Sequence, residues 1–169
     1  VLKAFADRNW AAFPVHPKST NAVILTHAHL DHCGLLPRLV TQGFKGRIFC
    51  TPATADLTRI VLADAGKLQE EDAERANRKG YTKHEPAMPL FTVADANRAM
   101  LQLQPVGYDR AMPVVPGVTF EFVKAGHFLG SAYARVHVES SGQTLLFGGD
   151  LGRFGRPVLP DPTFIDEAD

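Results

Sequence analysis

Thr26-His27-Ala28-His29-Leu30-Asp31-His32 follows directly on the apolar segment 22–25, and its reading decides the fold. In extended backbone residues i and i+2 point the same way, so His27 and His29 offer imidazole nitrogens to one metal as a strand runs out. Asp31 and His32 come where the chain must turn, with Gly34 close behind to permit it, and they can bend toward a second metal. From the His and Asp content of this chain, a chance match to His-x-His-x-Asp-His is on the order of one in a thousand. The run is therefore read as chemistry and not as a polar strand end.

The 169 residues suit one domain, and 45% hydrophobic with 21% charged residues is ordinary for a globular chain with a real core. Eighteen basic and eighteen acidic residues cancel. No global attraction to nucleic acid, membrane or acidic substrates follows, so a positive surface for a polyanion must be local or lie elsewhere. The two cysteines, Cys33 and Cys50, with no secretory h-region and no bilayer-length apolar run, suit a reducing cytoplasm. Cys33 invites a ligand reading beside His32, but a small buried residue starting a helix is the expectation. The first residue is Val and the last four are polar, as in a piece of a longer protein.

Strand-like and helix-like stretches alternate without repeats, as in an α/β architecture. Residues 21–26 read as a buried strand, 35–42 as a short helix stopped by Gly43, and 47–50 as a second strand. Thr51-Pro52 opens a long helix reaching about Arg78, with Leu57, Ile60, Val61, Ala65 and Leu68 at helical spacing and Gly80 at its end. Thr92 and Asp95 form the ends of a capping box for a helix to about Leu103. The last third changes period: Val118, Phe120 and Phe122 alternate, as do Ala134, Val136 and Val138, and Ser140-Ser141-Gly142 turns into 144–147. That is an antiparallel meander. His137 falls on the opposite face from Val136 and Val138 and is read as solvated; His84 and His16 are loop residues without a chemical role.

Two more candidate ligands end strands in this half. His127 follows 118–125 behind Gly126, and Asp150 follows 144–147 behind Gly148-Gly149. A carboxylate can bridge two divalent cations with its two oxygens, and a third imidazole completes the His27/His29 set.

These residues, with the segments LTHAHLDHCGLLPRLV, TPATADLTRIVLADAGKLQEEDAERANRKG, KHEPAMPLFT, AGHFLGSA and FGGDLGR, make the chain similar to the metallo-β-lactamase superfamily, and within it to the β-CASP nucleases of RNA processing. The resemblance covers residues 22–162. It implies an α/β fold, an αββα sandwich with helices covering two mixed sheets, truncated at both ends: residues 1–169 as the N-terminal portion of the domain, with the β-CASP domain and C-terminal segment absent. About a hundred residues separate His27 from His127, more than in small hydrolases such as glyoxalase II, and His29 stands where the flavodiiron branch has Glu.

The resemblance further implies two Zn2+. His27, His29 and His127 would hold one, Asp31 and His32 the other, and Asp150 would bridge them. A hydroxide between the metals would attack a phosphodiester of single-stranded RNA, with Asp31 orienting it and accepting its proton. Substrate contacts are expected from the backbone of 129–131, from Ser131 and from Arg153, for which an ion pair with Asp161 is the rival use. A further zinc-binding His and the proton donor to the leaving group lie downstream in the family, and the opening strands precede Val1, so weak metal binding and poor cleavage are expected of this piece alone. A cytoplasmic protein, with no membrane partner and a homodimer at full length, completes the expectation. The rivals are a small-molecule hydrolase of a thioester, lactone or β-lactam using the same metals, and a non-catalytic RNA-processing scaffold.

Overall fold

Pro52–Lys79, the longest element, starts and stops where its terminal residues dictate. The Thr51 hydroxyl accepts the Thr54 amide at the N-cap, Pro52 fills the first turn, and Gly80 closes the helix in left-handed backbone at φ +64°. The shorter helix Val93–Met100 carries the full capping box, with Thr92 and Asp95 exchanging side chain and backbone bonds.

The computed structural model describes residues 7–81 and 85–166, which leaves His84 outside the described residues. After two 3-10 turns, the second capped by His16 Nδ1 accepting the Lys18 amide, the order is β1 (Ala22–Ile24), α1 (Leu30–Cys33), α2 (Leu36–Thr41), β2 (Arg47–Cys50), α3 (Pro52–Lys79) and α4 (Val93–Met100). It continues through β3 (Leu103–Pro105), β4 (Met112–Val115), β5 (Val118–Lys124), β6 (Ala132–Val138) and β7 (Gln143–Phe147).

The two sheets are not mixed as expected but segregate by strand direction. β1-β2-β3 is parallel, with Val23 opposite Ile48 and Ile48 opposite Leu103; β4-β5-β6-β7 is antiparallel, with Phe120 opposite Val136. Helical crossovers join the first set and short turns the second, which is what each pairing direction requires. Successive residues of β2 then face different layers. Ile48 packs under the helices with Leu36, Leu62 and Phe91, while Phe49 packs between the sheets with Phe120, Phe122 and Val136. The described residues thus supply the layers α, β and β. On the outer face of the antiparallel sheet Val123 and Tyr133 meet Leu146 and Ile165, and Arg135 and His137 are exposed.

Two expectations are corrected. The helix from Thr92 ends at Met100 rather than near Leu103, because residues 103–105 pair with β2 as a third parallel strand. The buried stripe of α3 is Ala55, Thr58, Leu62, Ala65 and Gly66, while Ile60 and Leu68 are exposed. Small residues are needed there because α4 begins close by: a Cβ on Gly66 would lie 2.9 Å from the Val93 nitrogen.

Phe120, 1% exposed, has its ring centroid 5.1 Å from both Phe49 and Phe122 and so spans the two sheets. F120A should cost about 3–5 kcal/mol in urea unfolding, and F120L much less; equal small losses for both would contradict this packing.

Candidate metal centre

Every side chain of the centre is delivered by backbone leaving a strand at one end of the two sheets. His27 and His29 follow β1 of the parallel sheet, Asp31 and His32 lie in the single turn of α1, and His127 and Asp150 follow β5 and β7 of the antiparallel sheet. Thr26 ties these exits together. Its carbonyl accepts the Ala132 amide at 2.9 Å, joining β1 to the start of β6, and its hydroxyl lies 3.2 Å from His27 Nδ1. Gly149, at φ +56°, passes so close that a Cβ there would lie 2.8 Å from the Thr26 hydroxyl, so the Asp150 turn requires glycine in front of it.

Four ligand atoms converge. His29 Nδ1 lies 3.0 Å from His27 Nε2 and 3.1 Å from His127 Nε2; Asp150 Oδ2 lies 3.2 Å from His127 Nε2 and 3.8 Å from His27 Nε2. A tetrahedral shell with metal–ligand bonds of about 2.0–2.1 Å has edges of about 3.3 Å, by geometry alone. These four separations bracket that value, and all four atoms lie within 4.8 Å of one another. Hydrogen bonding offers a poorer account, because two ring nitrogens address the single Nδ1 of His29. Three imidazoles and a carboxylate therefore fit a divalent cation of the zinc type. The Thr26 contact at His27 Nδ1 leaves Nε2 free for it, the outer partner that a ligating imidazole needs.

Asp150 turns its other oxygen away from this group. Oδ1 lies 3.5 Å from His32 Nε2, which is 3.7 Å from Asp31 Oδ2. Its two oxygens thus face two clusters of donors. The second is more open, with the Asp31 side chain 80% exposed against 1% for His27.

Not every candidate joins the centre. Ser131 is buried, and its hydroxyl oxygen accepts the amides of His127 and Phe128, both at 3.0 Å. This residue, expected as a substrate contact, holds the loop that carries His127. Arg153 is exposed three residues past Asp150; no ion pair joins it to Asp161 among the described residues, and Asp161 accepts the Gly155 amide at 2.6 Å. Cys33 ends α1 rather than starting a helix; its buried thiol donates to the Ala28 carbonyl, and burial pushes it up to about 12. His137 is exposed, as expected. Sequence reasoning missed Phe128, whose ring lies 4.4 Å from that of His29 at an interplanar angle of 38°.

Burial, then the neighbouring His32 and His29, pushes His27 down to about 4 from its ordinary 6.5. At neutral pH it is therefore the neutral ligand that a cation requires. A folded-state value below the unfolded one means that this contribution to stability is intact above 6.5 and lost as pH falls through 4. Chelator-treated protein should lose Tm over that window, and H27Q should flatten the loss; parallel profiles would refute the burial argument.

Residues 2–161 match the beta-lactamase superfamily domain. Ribonuclease TTHA0252 of Thermus thermophilus is 38% identical over 162 residues, 96% of this chain and 33% of that protein. An RNase J-like protein of Methanocaldococcus jannaschii is 35% identical over 92% of this chain and 31% of its own length, and the transcription termination factor FttA of the same organism 33% identical over 95% and 23%. The chain spans about a third or less of these curated relatives. Among solved structures, a Cronobacter sakazakii metallo-β-lactamase with a HARLDQ motif shares the fold at TM-score 0.51 and 21% identity, covering 92% of this chain and 51% of that one. Its motif differs from His27-Ala28-His29-Leu30-Asp31-His32 at the third and sixth letters, so the likeness concerns the fold alone. No helix among the described residues is long and apolar enough to cross a membrane.

Proposed function

This chain belongs to the β-lactamase superfamily, and from that premise we propose that it carries the metal centre of a metal-dependent phosphodiesterase that cleaves single-stranded RNA. The observation that carries the reading is the convergence of His27, His29, His127 and Asp150, whose ligand atoms all lie within 4.8 Å of one another, with Asp31 and His32 beyond the second carboxylate oxygen. In this reading His27, His29 and His127 would hold one zinc and Asp31 and His32 the other, with Asp150 available to both. Bound ions supply Lewis acidity to water and to a phosphoryl oxygen.

The residues themselves do the rest. Asp31, exposed beside His32, orients the attacking water and takes its proton. Arg153, exposed past Asp150, offers a guanidinium to a phosphate. RNA as substrate is supported by relatives at 35–38% identity named as a ribonuclease and an RNase J-like protein. A cytoplasmic homodimer at full length belongs to the same proposal.

Zinc content and RNA cleavage measured together in the full-length protein test it. H29A and D150N should lose both, and D31N should lower the rate by about 10²–10⁴-fold while the first zinc is retained. Wild-type cleavage in H29A or D150N would overturn the assignment. Turnover of a thioester, lactone or β-lactam without RNA cleavage would move the activity to the small-molecule branch.

A further inference from the structure

Three buried hydroxyls take no part in the chemistry above, and all three bear on one loop. Thr51, Thr54 and Ser131 are 1%, 0% and 2% exposed. The Thr51 and Thr54 hydroxyls lie 2.6 and 2.9 Å from the Gly130 carbonyl oxygen. They also lie 3.0 Å from each other, but each has one proton, and the two shortest distances send both to that carbonyl. Its two lone pairs are then filled by one helix end. Gly130 fits there only without a side chain: at φ +83°, a Cβ would lie 2.5 Å from the Thr54 nitrogen and 2.8 Å from the Thr51 hydroxyl.

The next residue passes the constraint on. The Ser131 hydroxyl oxygen takes the amides of His127 and Phe128, its own amide donates to the Phe128 carbonyl at 2.9 Å, and its carbonyl accepts the Tyr108 hydroxyl at 3.1 Å. Two ligands depend on this loop, His127 directly and His29 through the Phe128 ring. Both threonine hydroxyls thus reach a carbonyl 76 and 79 residues away.

We propose that the start of α3 is a positioning device for the metal centre, in which Thr51 and Thr54 clamp Gly130 and thereby set the imidazole of His127 and the ring that Phe128 lays on His29. This rests on the metal reading given above. Thr54 is a positioning residue: it touches no ligand atom and acts through the loop. Its effect differs from capping, because the cap bond uses the Thr51 hydroxyl and the Thr54 backbone amide, which a change of the Thr54 side chain leaves in place. Thr58, one turn on, serves as the comparison. It is equally buried, and its hydroxyl has no hydrogen-bond partner.

The test is Co2+ binding by the full chain, read as affinity and as the visible ligand-field spectrum. T54V should weaken the first Co2+ by about 10–100-fold, the range for groups that orient a ligand, and shift its bands, while T54S restores both and T58V changes neither. Should T54V fold poorly, S131A frees the same loop from the other side and should give the same loss. Wild-type affinity and bands in T54V or S131A, with binding lost in H127A, would overturn the clamp alone. Wild-type binding in H127A as well would overturn the metal assignment on which the clamp rests.

Discussion

Three ring nitrogens and a carboxylate oxygen all held within 4.8 Å of one another are a costly arrangement for a folded chain. One of the rings, His27, is fully buried and kept neutral by burial and by the rings around it. Nothing local to residues 27–32 supplies the rest of the set. His127 and Asp150 arrive from a different sheet, and they reach the same point only because the two sheets pack face to face around Phe49, Phe120 and Phe122. The apolar layer between the sheets is thus the condition for the centre, and the centre is where that layer ends and backbone emerges.

That dependence explains the placing of polar groups around it. Thr26 bonds the first strand of one sheet to a strand of the other, and Ser131 with the two threonines of α3 fastens the opposite loop. Each hydroxyl meets a backbone group that would otherwise lie buried and unpaired. Thr58 shows the contrast on the same helix, since its hydroxyl meets nothing.

Much of this was legible in the sequence where local chemistry speaks. Both ends of α3 follow from Thr51, Pro52 and Gly80, and the capping box at Thr92 and Asp95 needed no tertiary partner. β5 and β6 follow from alternation, and β7 from the turn at Ser140-Ser141-Gly142 that precedes it. β3 was not legible, because Leu103-Gln104-Pro105 carries no period of its own and is a strand only by pairing with β2. The buried face of α3 was misread for a related reason: the close approach of α4 demands Gly66, and the face so buried carries Ala55, Thr58 and Leu62 in place of Ile60 and Leu68. At the centre, the spacing of His27 and His29 and the strand ends at His127 and Asp150 marked out the side chains that the fold brings together. A hydroxyl, however, looks the same in sequence whether it faces solvent or a buried amide, so the bonds from the His127 and Phe128 amides to Ser131 were not legible. The second task of Thr51 is written 79 residues away.

His29 and His127, whose ring nitrogens stand 3.1 Å apart, are separated by 98 positions along the chain. A cation held by both is a cross-link in the topological sense, closing a loop of nearly a hundred residues. For a covalent tie across such a loop, chain entropy lost from the unfolded state is worth roughly 4–5 kcal/mol, comparable to the whole stability of a marginal domain. With such an ion bound, occupancy and foldedness would be one linked equilibrium, and scarcity of metal would act on the fold as a denaturant does.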